Sequence, residues 1–247
     1  MYSLLPLALY RGYPKIPPMH IVLLITLLIA LIVGPQLWIR WVFFRYRAEL
    51  PDIPGTGGEL AEHLIQRFDL EGITVEETAP DRDHFDGSAP AVRLSPRNYK
   101  GKSLTAVAVA AHEVGHAIQW HRKESVFKLR SKYIPLAQKL QRAGILMVSL
   151  SPLIAVITRN PVGLALPVAG GVIAALCGAA TYLIVLPEEW DASFNKALPI
   201  LIEGDYITAQ QAPAARRILR AAAFTYAAGA LASLLQVWRW LPLLLRR

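Results

Sequence analysis

With one cysteine in 247 residues, the chain cannot form an internal disulfide. Cys177 lies inside an apolar run, where the role of such a thiol is that of a small buried hydrophobe. Internal repeats and low-complexity tracts are missing as well, which excludes solenoid and fibrous architectures. No cleavable signal sequence is evident either, and none is expected. The first apolar run is too long for the core of a signal peptide, and it ends in Trp38-Ile39-Arg40-Trp41 without a small-residue cleavage pattern, so it reads as a retained anchor. Histidine is scarce, with 6 in the whole chain, so any two at a ligand spacing carry weight.

What the chain has in excess is apolar sequence. At 54% hydrophobic residues it is not an ordinary soluble domain. These residues gather in runs at 21–39, 143–158, 163–186 and 221–245. A bilayer core takes about 20 apolar residues as helix. The first, third and fourth runs meet that length, while the second is short and carries Pro152. Four transmembrane helices are predicted. Arg239, between Trp238 and Trp240, reads as an anchor at the membrane interface.

The net charge of +8 does not point to nucleic acid. The basic residues stand beside the apolar runs, as Arg40, Arg45 and Arg47, then Lys128, Arg130, Lys132, Lys139 and Arg142, then Arg216, Arg217 and Arg220. That is the pattern of cytoplasmic flanks and lipid-headgroup contacts. It predicts both termini outside and residues 45–142 and 187–220 in the cytoplasm. The chain divides accordingly into 1–45 (N-terminal segment and first span), 46–142 (polar domain), 143–187 (transmembrane hairpin), 188–220 (a second polar segment) and 221–247 (fourth span).

Within the polar domain, PDIPGTGG (51–58) reads as a linker leading into a helix. ELAEHLIQRFDLEG (59–72) has helical periodicity with Gly72 as its stop. ITVEET (73–78) and AVRLS (91–95) read as short strands, the second following the turn-like pair Asp86-Gly87. Ser103 is the predicted N-cap of a helix from Leu104 to about Trp120. Residues 123–142 continue as a basic, partly amphipathic helix on the membrane surface.

That N-capped helix contains VAVAAHEVGHAIQWH (107–121). On a helix, positions i and i+4 share a face, so His112 and His116 aim two imidazoles at one point. A tetrahedral zinc ion accepts two nitrogens so arranged. Glu113 is offset by about 100°, placing its carboxylate beside the ion as a general base toward a zinc-activated water. The motif lies in an otherwise uncharged run, where burying three polar side chains is costly without a metal or partners. A metzincin would continue with glycine at 119 and histidine at 122, but Gln119 and Arg122 stand there, so the third ligand comes from elsewhere. The next donors are in LPEEWDAS (186–193): Glu188, Glu189 and Asp191. Two predicted spans separate them from His116, so they emerge on the same side of the membrane. They also suit a helix N-terminus with Pro187 at N1.

HEVGHAIQ, the preceding SLTAVAVAA, LPEEWDAS after a pair of spans, and AAAFTYAAGALASLLQ near the end resemble the YugP-type neutral zinc metallopeptidases of bacterial membranes. The similarity runs from roughly residue 20 to residue 240, and DHFDGSAPAVRLS (83–95) matches that family's Asp-His-Tyr-Asp segment before an R-L-S strand. The resemblance implies a gluzincin-like site with one zinc per chain, His112, His116 and Glu189 as ligands and Glu113 as base, in a bacterial inner membrane. It does not supply a substrate. Helical faces agree on Glu189, which shares its face with the small Ala192 and Ser193; Asp191 is then expected to accept an N–H from a ligand histidine. His84 has two readings. Either it approaches the metal and donates to a developing oxyanion, or it is a loop histidine satisfied by Asp83 and Asp86. The AVRLS strand is expected at a sheet edge open to an extended peptide.

The expectation is therefore a predominantly α, four-span membrane protein with a small cytoplasmic α+β zinc-peptidase domain. Its partners would be the bilayer and a peptide or protein substrate, membrane proteins included, and no nucleic acid. Two alternatives stand beside it. One is an intramembrane, site-2-protease-like enzyme with residues 104–120 in the bilayer, although runs 143–158 and 163–186 offer no acidic ligand there. The other is a metal-binding membrane scaffold without catalysis, for which Glu113 would have no use. A metal transporter is disfavoured by the lack of polar residues at mid-membrane.

Overall fold

The structure is a computed structural model and describes residues 18–158 and 162–235. It is mostly helical with one small sheet. Helix α1 (Pro18–Arg45) is apolar on every side over its first half, with Val22, Leu23, Leu24, Ile25 and Leu27 all exposed. A helix uniformly apolar and uncovered by protein suits lipid. At its other end Ile39 and Val42 are buried and join the core of the polar domain.

The domain opens with α2 (Gly57–Arg67), whose start is a reciprocal capping box. Thr56 Oγ1 accepts the Glu59 N–H at 3.1 Å, and the Glu59 carboxylate accepts the Thr56 N–H at 2.7 Å. The helix ends one turn before Gly72. Phe68 is its C-cap, and Asp69 turns the chain with φ of 51°. Three strands follow, β1 (Thr74–Glu77), β2 (His84–Asp86) and β3 (Ala91–Leu94). Their order is β1-β3-β2, with β1 parallel and β2 antiparallel to β3. The strand read as an edge is thus the central one, and its Val92 and Leu94 are fully buried. The two open edges are β1 and β2. The second of these, too short to show alternation, was not distinguishable from loop in the sequence.

A short helix α3 (Pro96–Lys100) leads into α4 (Leu104–His121). Ser103 caps α4 as predicted, its hydroxyl accepting the Ala106 N–H at 3.1 Å. Every residue from Leu104 to Gln119 is buried. The cover is protein: α2, α3, β2, β3, the segment after α7, α8 and α9 all pack on α4. Its all-round apolarity is that of a central core helix, and α4 is not among the helices long and apolar enough to cross a membrane.

Among the described residues three stretches are long and apolar enough to span: Val22–Arg45, Ala165–Glu203 and Ala212–Leu235. The run at 143–158 does not form a span-length helix of its own. It is shared between α5 (Ser125–Ser149) and α6 (Ser151–Thr158), which meet beside Pro152. Helix α5 continues without a break through residue 142, where the surface helix was expected to stop. Its second half packs along α7 (Val162–Trp190). The last helix, α9 (Ala212–Leu235), starts nearer the polar segment than the run at 221 suggests; Arg239 and the end of that run lie outside the described residues.

Between α7 and α8 (Leu198–Glu203) the backbone is a π-helix, Asp191–Ala197. Pro187 sits inside α7 and not at a helix N-terminus, so Glu188 and Glu189 occupy the last turn of a long helix. A π-helical stretch widens the turn and shifts which side chains face a neighbour, a device common at functional sites.

Candidate metal centre

The three donors that meet in the core come from two elements. His112 and His116 project from α4, and Glu189 from the end of α7. The Nε2 atoms of the two histidines are 3.2 Å apart. Glu189 Oε2 is 3.2 Å from His112 Nε2 and 3.5 Å from His116 Nε2. A tetrahedral zinc ion with bonds of about 2.0–2.1 Å sets its ligand atoms about 3.3–3.4 Å apart. The triangle therefore has the right edges, and two imidazoles with one carboxylate are the right donors. All three residues are buried.

Two neighbours to which the sequence assigned no role stand behind the histidine rings. Gln119 Oε1 stands 2.9 Å from His116 Nδ1, and Ser193 Oγ stands 3.1 Å from His112 Nδ1. Each oxygen is placed to accept an Nδ1–H, the arrangement in which Nε2, directed at the shared point, can serve a metal. Gln119 is fully buried and is itself fixed, its amide N–H groups donating to the Glu188 carbonyl at 2.9 Å and to Asp191 Oδ2 at 2.8 Å. Asp191 thus reaches the site through Gln119, one residue further out than expected, while Asn195 and Lys196 also donate to it. The Ser193 hydroxyl donates onward to the Leu219 carbonyl of α9 at 3.4 Å. No local pattern in the sequence marks Ser193 or Gln119 as partners of these rings; the π-helical register presents the first, and helical i,i+3 spacing from His116 could have suggested the second.

Glu188 faces elsewhere. Its Oε1 lies 3.6 Å from His116 Nδ1, behind the ring, and 3.1 Å from Arg130 Nη1. Its Oε2 is buried without a hydrogen-bond partner among the described residues. Glu113 is buried beside the triangle, and that burial pushes its carboxyl pKa up against the opposing pull of His112 and His116. Burial alone would lower the pKa of His116, but Glu189, Glu113 and Glu188 outweigh it and raise it to about 9.

His84 is not part of this cluster. On β2 the middle residue, Phe85, turns inward to Trp120 of α4, with ring centroids 5.9 Å apart. Its neighbours His84 and Asp86 therefore turn to the outer face. There His84 is exposed and its Nδ1 lies 2.8 Å from the Arg82 carbonyl. The flanking aspartates do not satisfy it. Asp83 instead accepts the Ser95 N–H at 2.7 Å and the Asn98 amide at 2.9 Å. Asp86 accepts from Ser88 and from Arg93, which hold its carboxyl well below the usual range. The DHFD segment works as a pair of staples that fix edge strand β2 to β3 and α3.

The chain matches, over residues 20–245, the profile of a family described as "Putative neutral zinc metallopeptidase". The chain belongs to this family. It is also similar to the "Putative membrane protease YugP" of Bacillus subtilis (strain 168), at 33% identity over 198 residues, covering 77% of this chain and 81% of the relative. No solved structure matches it. Membership gives the buried triangle its context, since a zinc peptidase needs three protein ligands with an open fourth position.

Proposed function

We propose that the chain is a membrane-anchored zinc endopeptidase, with His112, His116 and Glu189 holding one zinc ion per chain and Glu113 acting as general base. The observation that carries this reading is the triangle of Nε2, Nε2 and Oε2 atoms, with edges of 3.2–3.5 Å, alongside a buried carboxylate one residue from a ligand. When bound, zinc supplies an acidified water, with a pKa of about 7, and polarises the peptide carbonyl. Glu113 takes a proton from the attacking water and hands it to the leaving amine. Its raised carboxyl pKa suits both halves of that task, because the proton it accepts is not held too weakly. Gln119 and Ser193 keep the ligand rings aligned, with each Nε2 toward the ion. The free edge of β2, on the strand that packs against α4, is the edge available to an extended peptide.

The same triangle supports a membrane arrangement. If α7 crosses the bilayer, His116 and Glu189 can meet only if the chain crosses once more between them, and the second half of α5 with α6 is the stretch available. This supports four crossings. The basic flanks then put the site on the cytoplasmic side of a bacterial inner membrane. The substrate is a peptide or protein, and the bilayer beside the site makes membrane proteins its natural class.

Detergent-purified protein tests the mechanism. Glu113→Gln is expected to keep about one zinc per chain and lose peptide hydrolysis by about 10²–10⁴-fold. Wild-type activity in that variant would overturn the reading.

A further inference from the structure

Behind His116 the polar side chains form one chain of contacts that leads away from the ring. Gln119 Oε1 stands 2.9 Å from His116 Nδ1. The nitrogen of that amide donates to two acceptors, the Glu188 carbonyl at 2.9 Å and Asp191 Oδ2 at 2.8 Å. An amide carries both of its donors on nitrogen and its acceptor on oxygen. With the nitrogen engaged by two acceptors, the oxygen is the end that meets the ring. Asp191 is held in turn by the Lys196 ammonium, which donates to the same Oδ2, while Asn195 donates to Oδ1 at 2.9 Å. Lys196 Nζ also donates to Glu124 Oε2 at 2.8 Å. Glu124 is the N-cap of α5, and its N–H donates to the Gln119 carbonyl at 3.0 Å. The circuit thus closes on the residue that touches the histidine.

From this circuit we infer that Lys196 is a positioning residue of the metal site: by bridging Asp191 and Glu124 it keeps the Gln119 amide oxygen turned to His116 Nδ1. An amide turned the other way would offer N–H groups to Nδ1 and favour the ring with its proton on Nε2, where the ion is bound. The Lys196 side chain is only 12% exposed. Burying an ammonium is costly unless it is paired, and here it meets two carboxylates. Residues 191 and 196 are five apart, a spacing that does not share a face on an α-helix. The π-helical turn brings them together, which gives that irregular backbone a task at the site. This inference rests on the zinc reading above and adds to it a cation outside both the HExxH helix and the LPEEWDAS segment.

Zinc affinity, measured by competition with a chromophoric chelator in detergent at pH 7, tests it. Lys196→Met keeps most of the apolar stem and removes the charge. Its zinc Kd is expected to rise about tenfold, the lower end of the usual cost of losing a partner of a ligand. The visible spectrum of its cobalt(II)-loaded form is expected to shift, and Lys196→Arg, which retains a donor cation, is expected to recover most of the affinity. Because Lys196 acts through the amide, adding Lys196→Met to Gln119→Leu is expected to leave the zinc Kd of Gln119→Leu unchanged. If Lys196→Met does not fold, Glu124→Gln takes its place, with a raised Kd that also vanishes in the Gln119→Leu background. Wild-type zinc Kd in the variant measured overturns the inference and leaves the zinc reading standing. Additive losses with Gln119→Leu overturn it too, because the effect would then be independent of the amide. A wild type that binds no zinc overturns the reading and the inference together.

Discussion

Gly115 of α4 lies directly against the backbone of Ala192: a Cβ built on Gly115 would stand 2.9 Å from the Ala192 carbonyl oxygen and 3.3 Å from its Cα. Gly115, between Glu113 and His116, is therefore the residue that lets α4 and the π-helical segment touch. Ala192 is itself fully buried, so neither side has room to yield.

Gly115→Ala should push the π-helical segment away from α4 and open the triangle. Overpacking of this kind costs about 1–3 kcal/mol. Calorimetry of the zinc-loaded protein is expected to show a lower midpoint, with zinc affinity reduced in the same preparation. Wild-type values for both would show that the contact is softer than described.

Glu189 and Glu188 are adjacent, yet one faces the Nε2 atoms and the other the back of His116. Glu189→Ala is accordingly expected to lose stoichiometric zinc in metal analysis after dialysis. Glu188→Ala should retain zinc, and should free Arg130 of its partner. An exchange of these two phenotypes would assign the ligand to Glu188.

The metal-free protein carries its own pH dependence. The unfolded pKa of histidine is about 6.5, and that of His116 in the folded apoprotein is raised to about 9. A raised pKa contributes stability that is complete below about 6.5 and is lost as pH rises toward 9. Zinc takes the imidazole unprotonated, so its affinity moves the other way, by about tenfold per pH unit for one released proton. The gap in unfolding midpoint between zinc-loaded and chelator-treated protein should widen from pH 6.5 to 9. A constant gap would mean that His116 is already neutral at pH 6.5.

The four-crossing arrangement is checked by labelling intact cells in a Cys177→Ala background. Cysteines placed at residues 3 and 160 are expected to react with an impermeant reagent from outside, and one at Lys100 is not. Labelling of the Lys100 position alone would move the site to the outer face.

Much of this was legible locally. The α4 helix, its Ser103 cap and the shared face of His112 and His116 depend only on helix pitch and a hydroxyl two or three residues from the N–H it accepts, so adjacent sequence suffices. The two strands flanking the DHFD segment were legible for the same reason. Their order was not: β3 lies in the centre because Asp83 and Asp86 bind Ser95, Asn98 and Arg93, contacts made across the sheet. The α2 stop was misplaced because Asp69 adopts a positive φ that glycine was expected to supply.

The sequence by itself determined which residues could bind a metal and which carboxylate could serve as base, because those roles follow from spacing on one helix. It also determined that the chain has apolar runs long enough to cross a membrane. Tertiary structure decided the rest. The choice of Glu189 over Glu188 depends on how α7 ends in a π-helix after Pro187, and the tautomers of both histidines depend on Gln119 and Ser193. Those partners meet only when α4, α7 and α9 pack together. Packing of distant elements is set by the whole core, and no window of sequence contains it.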